Sequence, residues 1–159
     1  MKTITLSKGY VALVDDEDYE DVSRFKWSAT ERGSTVYALR NIRINGKYHN
    51  VYLHRYLVGL SCLGKHIDHI DGNGLNNRRE NLRLCTHREN QRNQHSSYGS
   101  SQYKGVVWHK DRKKWQARIR VDGVDIYLGG YEEEEAAARA YDKAAKKHFG
   151  RFANLNFKI

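Results

Sequence analysis

HIDHIDGNGLNNRRENLRLCTHRENQRN, residues 66–93, is the stretch on which the reading of this chain turns. Asp68 and His69 are adjacent, Asn81 lies twelve residues past His69, and Asn90 follows nine further on. Splitting a phosphodiester requires a water made nucleophilic and charge neutralised on the phosphate and the leaving oxygen. An imidazole can take a proton near neutral pH. A hard divalent cation can hold the phosphate and the departing oxygen; it prefers oxygen ligands and keeps several waters. Asp68 and Asn90 supply such oxygens, and His69 supplies the imidazole. Neighbours on a strand point to opposite faces, which sets a base on one side of a phosphate and a metal on the other. Arg78, Arg79, Arg83, Arg88 and Arg92 surround this set as a lining suited to a phosphate backbone. The competing reading is an Asn- and Arg-rich surface loop with a buried His, because Asp, Gly and Asn all favour turns. The combined spacing argues against it.

The flanks predict a local structure for the motif. Residues 81–85 read as a short strand, and Asp71, Gly72, Asn73 and Gly74 as a turn before it. Thr86 and Glu89 form a capping-box pattern, so a helix is expected from His87 with Asn90 in its first turns. The sum is a strand, a loop, a strand and a helix around one cation. His66 lacks an adjacent carboxylate and is read as a groove or phosphate contact. Cys85 and His87 are read as a buried thiol and a helix-start residue rather than metal ligands.

Before the motif, residues 4–15 read as two short strands around Ser7, Lys8 and Gly9, and residues 15–27 as a short acidic helix. Residues 36–59 read as a hairpin turning at Asn45-Gly46, the strongest two-residue turn signal. After it, a Ser-rich break over residues 94–101 marks a linker. Then come a strand in YKGVVWH, a second in KWQARIRV, a turn at Asp122-Gly123, a third strand in VDIYLGG, and a helix over residues 132–150.

The whole chain has 159 residues, a formal charge of +9 and a pI near 9.6. Residues 1–50, 51–100 and 101–159 carry net charges of +1, +3 and +5. So basic a balance favours a polyanionic partner through counterion release. Neither a basic amphipathic helix nor a long apolar run points to a membrane. The N-terminus has no secretory h-region. Two cysteines, Cys62 and Cys85, are too few for a disulfide scaffold, so an intracellular, cytoplasmic setting with reduced thiols is expected.

The motif resembles the HNH nucleases of the ββα-metal fold, in particular phage and intron-encoded homing endonucleases. The resemblance implies that Asp68 and Asn90 are metal ligands, His69 the general base, and Asn81 the central residue that orients His69 and fixes the loop. LHRYLVG, with His54, is similar to the segment that precedes the motif in this subfamily; the sequence assigns His54 no chemical role. No paired Cys-x-x-Cys sites flank the motif, so no structural zinc is expected. The resemblance also implies a bacterial host cell of a phage or mobile element, and 5′-phosphate and 3′-hydroxyl product ends.

Residues 102–157 are similar to the Apetala-type (ethylene-response-factor) DNA-binding domain, through YKGVVWH, KWQARIRV, IYLGGY, EEAAARAYDKAA and the closing Leu155-Asn156-Phe157. That resemblance implies a three-stranded antiparallel sheet packed on one helix, with Lys104, His109, Lys114, Arg118, Arg120 and Tyr127 facing DNA. Two departures, Val107 and Arg118, bar transfer of the plant site preference. Independently, Gln116, Arg118 and Arg120 share a strand face, and a two-stranded ribbon fits the major groove.

The expectation is an α+β chain: an N-terminal β-rich region (1–60), an HNH motif (61–94, catalytic domain about 1–94), a linker (95–101) and a DNA-binding domain (102–159). It would be a site-specific, homing-type DNA endonuclease using Mg2+ or Mn2+ on double-stranded DNA, with Arg78, Arg79 and Arg92 also on DNA. No small-molecule cofactor is expected, and the assembly would be a monomer or weak dimer. The alternative is a DNA-binding regulator with an inactive nuclease centre.

Overall fold

The computed structural model describes residues 1–33, 35–93 and 100–157, and contacts divide the chain into two units, Met1–Asn90 and Gln91–Ile159. The expected linker residues 95–99 lie outside the described residues. Ser100 and Ser101 are tied into the second unit: the Trp108 N–H donates to Ser100 Oγ (2.7 Å), and Ser101 Oγ donates to Glu134 (2.6 Å).

The first unit opens with an antiparallel pair, β1 (Lys2–Thr5) and β2 (Val11–Val14), joined through a 3-10 turn at Ser7–Gly9. Alternation sends Ile4, Ala12 and Val14 inward. Helix α1 (Asp16–Ser23) carries Asp16, Glu17 and Asp18 in its first turn, where the helix dipole favours negative charge. Val22 is buried beneath it, and Trp27 Nε1 donates to the Val22 carbonyl at 2.8 Å.

A three-stranded antiparallel sheet follows: β3 (Ser28–Arg32), β4 (Thr35–Ile44) and β5 (Lys47–Tyr52), in that order. Asn45 and Gly46 connect β4 to β5 with φ of 48° and 77°, and Ile44 pairs with Lys47. Two left-handed residues in a two-residue loop match the strand twist. Strand β3 is not foreseen from sequence. Residues Leu53–Val58, read above as part of the hairpin, form helix α2 instead. The physical reason is the core: a helix buries Leu53 and His54 and packs Tyr56 and Leu57 against the central cluster. That cluster comprises Ile4, Leu6, Ala12, Val14, Val22, Trp27, Ala38 and Leu53.

The motif is built as read. β6 (His66–His69) pairs antiparallel with β7 (Leu82–Cys85), and α3 (His87–Asn93) follows. The capping box is formed: the Thr86 N–H and hydroxyl donate to Glu89 Oε2 (2.8 and 2.9 Å), and the Glu89 N–H donates back to Thr86 Oγ1 (3.3 Å). Ion pairs tie the motif to α1. The Arg79 side chain donates to both Asp18 oxygens (2.9 and 2.6 Å), and its backbone N–H to Asp15 Oδ2 (2.7 Å).

The second unit is a three-stranded antiparallel sheet in the order β10 (Val124–Tyr131), β9 (Lys114–Val121), β8 (Val106–His109), packed on helix α4 (Glu134–Phe149). Ala137, Ala138 and Ala145 let the helix lie close on Ala117 and Ile119. Buried Asp142 pins the tail, accepting from the backbone N–H groups of Asn156 (2.8 Å) and Phe157 (3.0 Å). No helix among the described residues is long and apolar enough to cross a membrane.

Asp18→Ala is expected to lower the stability of the first unit by about 1.5–3 kcal/mol, the loss of charge-assisted hydrogen bonds to Arg79. Urea unfolding followed by tryptophan fluorescence measures it; an unchanged midpoint would show that α1 does not anchor the motif.

Candidate functional site

The motif loop is held from three sides. β2 supplies a ladder rung: the Leu13 N–H donates to the Leu75 carbonyl and the Asn77 N–H to the Leu13 carbonyl, both at 2.8 Å. β4 presses on Gly74, where an added Cβ would meet the Val36 carbonyl oxygen at 2.5 Å and the Tyr37 ring at 2.6 Å. Only a residue without a Cβ fits there. Asn81 clasps the loop from within. Its Nδ2 donates to Asp71 Oδ1 (3.0 Å) and the Asn76 carbonyl (2.8 Å), and its Oδ1 accepts from the Asp71 N–H (3.0 Å). Burial raises the Asp71 pKa, but hydrogen bonds from Asn76, the Asn73 N–H and Asn81, with His69 nearby, outweigh it and hold the carboxyl below its usual range.

His69 and Asp68 are each 6% exposed, and their side chains turn to different partners, as neighbours on a strand must. His69 faces the clasped loop and a set of rings: Tyr37 at 5.7 Å and His54 at 5.1 Å between centroids. Its Nε2 lies 3.4 Å from Asn77 Oδ1. Asn77 is fully buried, and its Nδ2 points to the carbonyls of Leu75 (3.1 Å) and Gly74 (3.4 Å). That orientation leaves Oδ1 as acceptor only, so His69 donates Nε2–H and keeps the lone pair on Nδ1. Desolvation lowers the His69 pKa, offset in part by Asn77, Asp71 and Asp68. A neutral imidazole with a defined lone pair is what a general base requires. Asn81 hydrogen-bonds within the loop, while the carboxamide that meets His69 belongs to Asn77. The sequence offered no periodicity or spacing that distinguishes Asn77 from Asn76.

Asp68 pairs across the ladder with Arg83, and both Arg83 Nε (2.8 Å) and an Arg83 terminal nitrogen (2.5 Å) reach its Oδ2. Asn90 is the fourth residue of α3 and half-buried. Among the described residues no three His, Cys, Asp or Glu side chains come together to hold an ion. Asp68 and Asn90 carry hard oxygens of the kind Mg2+ or Mn2+ takes while keeping several waters. That chemistry fits a hard divalent cation. Arg83 is its competitor for the Asp68 carboxylate.

Of the other arginines expected to line a phosphate path, Arg78, Arg79 and Arg92 are engaged with carboxylates. Arg78 pairs with Glu80 (2.7 Å) and Asp15 (3.4 Å), and Arg79 with Asp18 and Glu17. Arg92 reaches Asp122 at 3.3 Å and lies 4.7 Å over the Phe149 ring. His66 meets His87 at 5.1 Å between ring centroids. Burial raises the Cys85 pKa to about 11, so its thiol stays protonated at neutral pH.

In the second unit, His109, Arg112, Gln116, Arg118, Asp125 and Tyr127 line a depression of about 290 Å³ on the sheet face opposite α4. Gln116 is only 2% exposed there, and its Oε1 accepts from Arg118 at 2.8 Å, which holds the guanidinium over the face. Arg120 is exposed, within 3.8 Å of Asp125, and Lys114 is within 3.4 Å of Glu132. Tyr127 is exposed on the same face. Lys104 is placed differently. Its Nζ donates to the Arg92 carbonyl at 2.5 Å, and burial lowers its pKa to about 8. Trp108 and Trp115 pair across β8 and β9 at 5.1 Å, in register with each other.

Comparison with known proteins points the same way. The HNH endonuclease family pattern matches residues 63–92. An uncharacterized HNH endonuclease of Acanthamoeba polyphaga mimivirus is 33% identical over 155 residues, covering 94% of this chain and 76% of that protein. An AP2-like ethylene-responsive transcription factor of Arabidopsis thaliana is 47% identical over 60 residues, 38% of this chain and 12% of its own length. An APETALA2-like protein of Oryza sativa subsp. indica is 45% identical over 60 residues, 38% of this chain and 14% of its length.

The buried His54 gives a pH signature. Desolvation, with His69 and Arg55 nearby, lowers its pKa to about 3 from 6.5. The unfolded chain then binds a proton that the folded chain refuses, so stability falls as pH drops from 6.5 toward 3. The stability difference between wild type and His54→Phe should widen by up to about 1.4 kcal/mol per pH unit below pH 6. Urea unfolding at pH 7, 6 and 5 reads it; parallel curves would mean that His54 titrates normally in the fold.

Proposed function

This chain belongs to the HNH endonuclease family, a family of nucleases, and we propose that it is a site-specific DNA endonuclease of the homing type. The single observation that carries the reading is the His69 centre: a buried imidazole hydrogen-bonded through Nε2 to Asn77, with Asp68 turned to a different partner on the same strand. His69 Nδ1 takes the proton from the attacking water. Asn77 holds the ring in the tautomer that keeps the lone pair on Nδ1, and the Asn81 clasp keeps Asn77 and His69 in register. Asp68 and Asn90 would hold Mg2+ or Mn2+, which when bound neutralises charge on the phosphate and the departing 3′ oxygen. Arg83 sets the electrostatic background of Asp68.

The second unit would hold the site. What supports this is the sheet face with Arg118, Arg120, Lys114, His109 and Tyr127, together with the partial likeness to AP2-like factors. Arg suits guanine edges and phosphates, and a strand pair suits the major groove. A regulator with an inactive centre is disfavoured by the intact set Asp68, His69, Asn81 and Asn90.

His69→Ala should abolish cleavage of supercoiled plasmid in magnesium while duplex binding, read by gel shift, stays close to wild type. Equal loss of both would make His69 structural. Asn77→Ala should slow single-turnover cleavage by about 100-fold through misplacement of the ring, with DNA affinity retained; an undiminished rate removes Asn77 from the mechanism. Arg118→Ala with Arg120→Ala should weaken site-specific binding by about 2–5 kcal/mol and leave divalent-cation affinity unchanged. Retained site preference in that double variant refutes the sheet-face assignment.

A further inference from the structure

His54 is a buried titratable group that the chemistry above leaves unused. It is the second residue of α2 and 9% exposed, inside a box of rings. It stacks on Tyr52 at 5.5 Å and meets Tyr37 edge-on at 5.8 Å. It stands at 5.1 Å from His69 with the two ring planes 87° apart. Its Nδ1 is shut away from solvent and meets no hydrogen-bond partner among the described residues.

Such a ring is an expensive way to fill the space. A buried nitrogen without a partner loses its hydration and regains nothing, and each such group in a native protein needs an explanation. A phenyl ring would pack against Tyr37, Tyr52 and His69 without that loss. Local rules are broken chiefly where function gains from it. The orphaned atom belongs to the ring that touches the imidazole base, and active-site hydrogen bonds are often completed only with substrate in place. Resting on the reading of His69 as the hydrolytic base, we propose that His54 is a positioning residue. Its ring edge fixes the plane of His69 against Tyr37, and its Nδ1 makes a hydrogen bond that is completed when the nucleic-acid strand and its water enter the site.

The signature is a protein made no less stable but slower. At pH 7, His54→Phe should melt at or above the wild-type temperature and bind plasmid DNA with an unchanged Kd. Its single-turnover cleavage of supercoiled plasmid in magnesium should fall by about 10- to 100-fold. His54→Ala should be equally slow and regain rate with added imidazole. Pyrrole, a ring of similar size without an acceptor nitrogen, should not restore it. Wild-type cleavage by His54→Phe, or equal effects of imidazole and pyrrole on His54→Ala, overturns the proposal while the nuclease reading stands. Wild-type protein that binds but does not cleave takes both down.

Discussion

The proposed hydrolytic centre depends on the clasp around residues 71–77. Three independent restraints meet there: the two backbone hydrogen bonds to Leu13, the contact of Gly74 with Tyr37, and the Asn81 side chain spent on Asp71 and Asn76. A loop so rich in Asn, Asp and Gly has weak preferences of its own. Fixed from outside and inside, it presents one carboxamide, Asn77, to one imidazole, His69. The tautomer proposed for His69 is thus set by packing from β2 and β4, elements that supply none of the proposed reacting groups. The N-terminal sheets are part of the site for that reason, and the acidic helix α1 serves it too, by anchoring Arg79.

Electrostatics divides the basic chain into charge paired within the fold and charge held on an exposed face. Arg78, Arg79 and Arg83 face carboxylates of the first unit, and Arg92 is engaged with Asp122 and Phe149. Such pairs position the backbone more than they attract a polyanion. On the sheet face of the second unit, Arg118 is aimed by Gln116 and Arg120 is exposed to solvent. A guanidinium held by a neighbouring amide loses less freedom on meeting a base or phosphate than a loose one. The count of positive residues in the sequence cannot separate these two populations, because pairing is decided by the fold.

Local signals were legible in the sequence and long-range ones were not. Asn45-Gly46, Thr86 with Glu89, Asp122-Gly123 and the alternation in KWQARIRV each act within a few residues, and each produced the expected turn, cap or strand. Asp68, His69, Asn81 and Asn90 were visible as a spaced set. Helix α2 was missed because its apolar residues answer to a core formed by β1, β2 and α1. Asn77 and His54 were missed for the same reason: their roles come from Leu13, Tyr37 and Tyr52, between two and about sixty residues distant, and no short motif encodes them.

The proposed mechanism needs the clasp to hold His69 as a neutral base with its proton on Nε2 and its lone pair on Nδ1. Nitrogen-15 NMR of the His69 ring at pH 7 reads this state. The expected spectrum shows a protonated Nε2 coupled to Asn77 and an unprotonated Nδ1. A ring protonated on Nδ1, or doubly protonated at that pH, would contradict it.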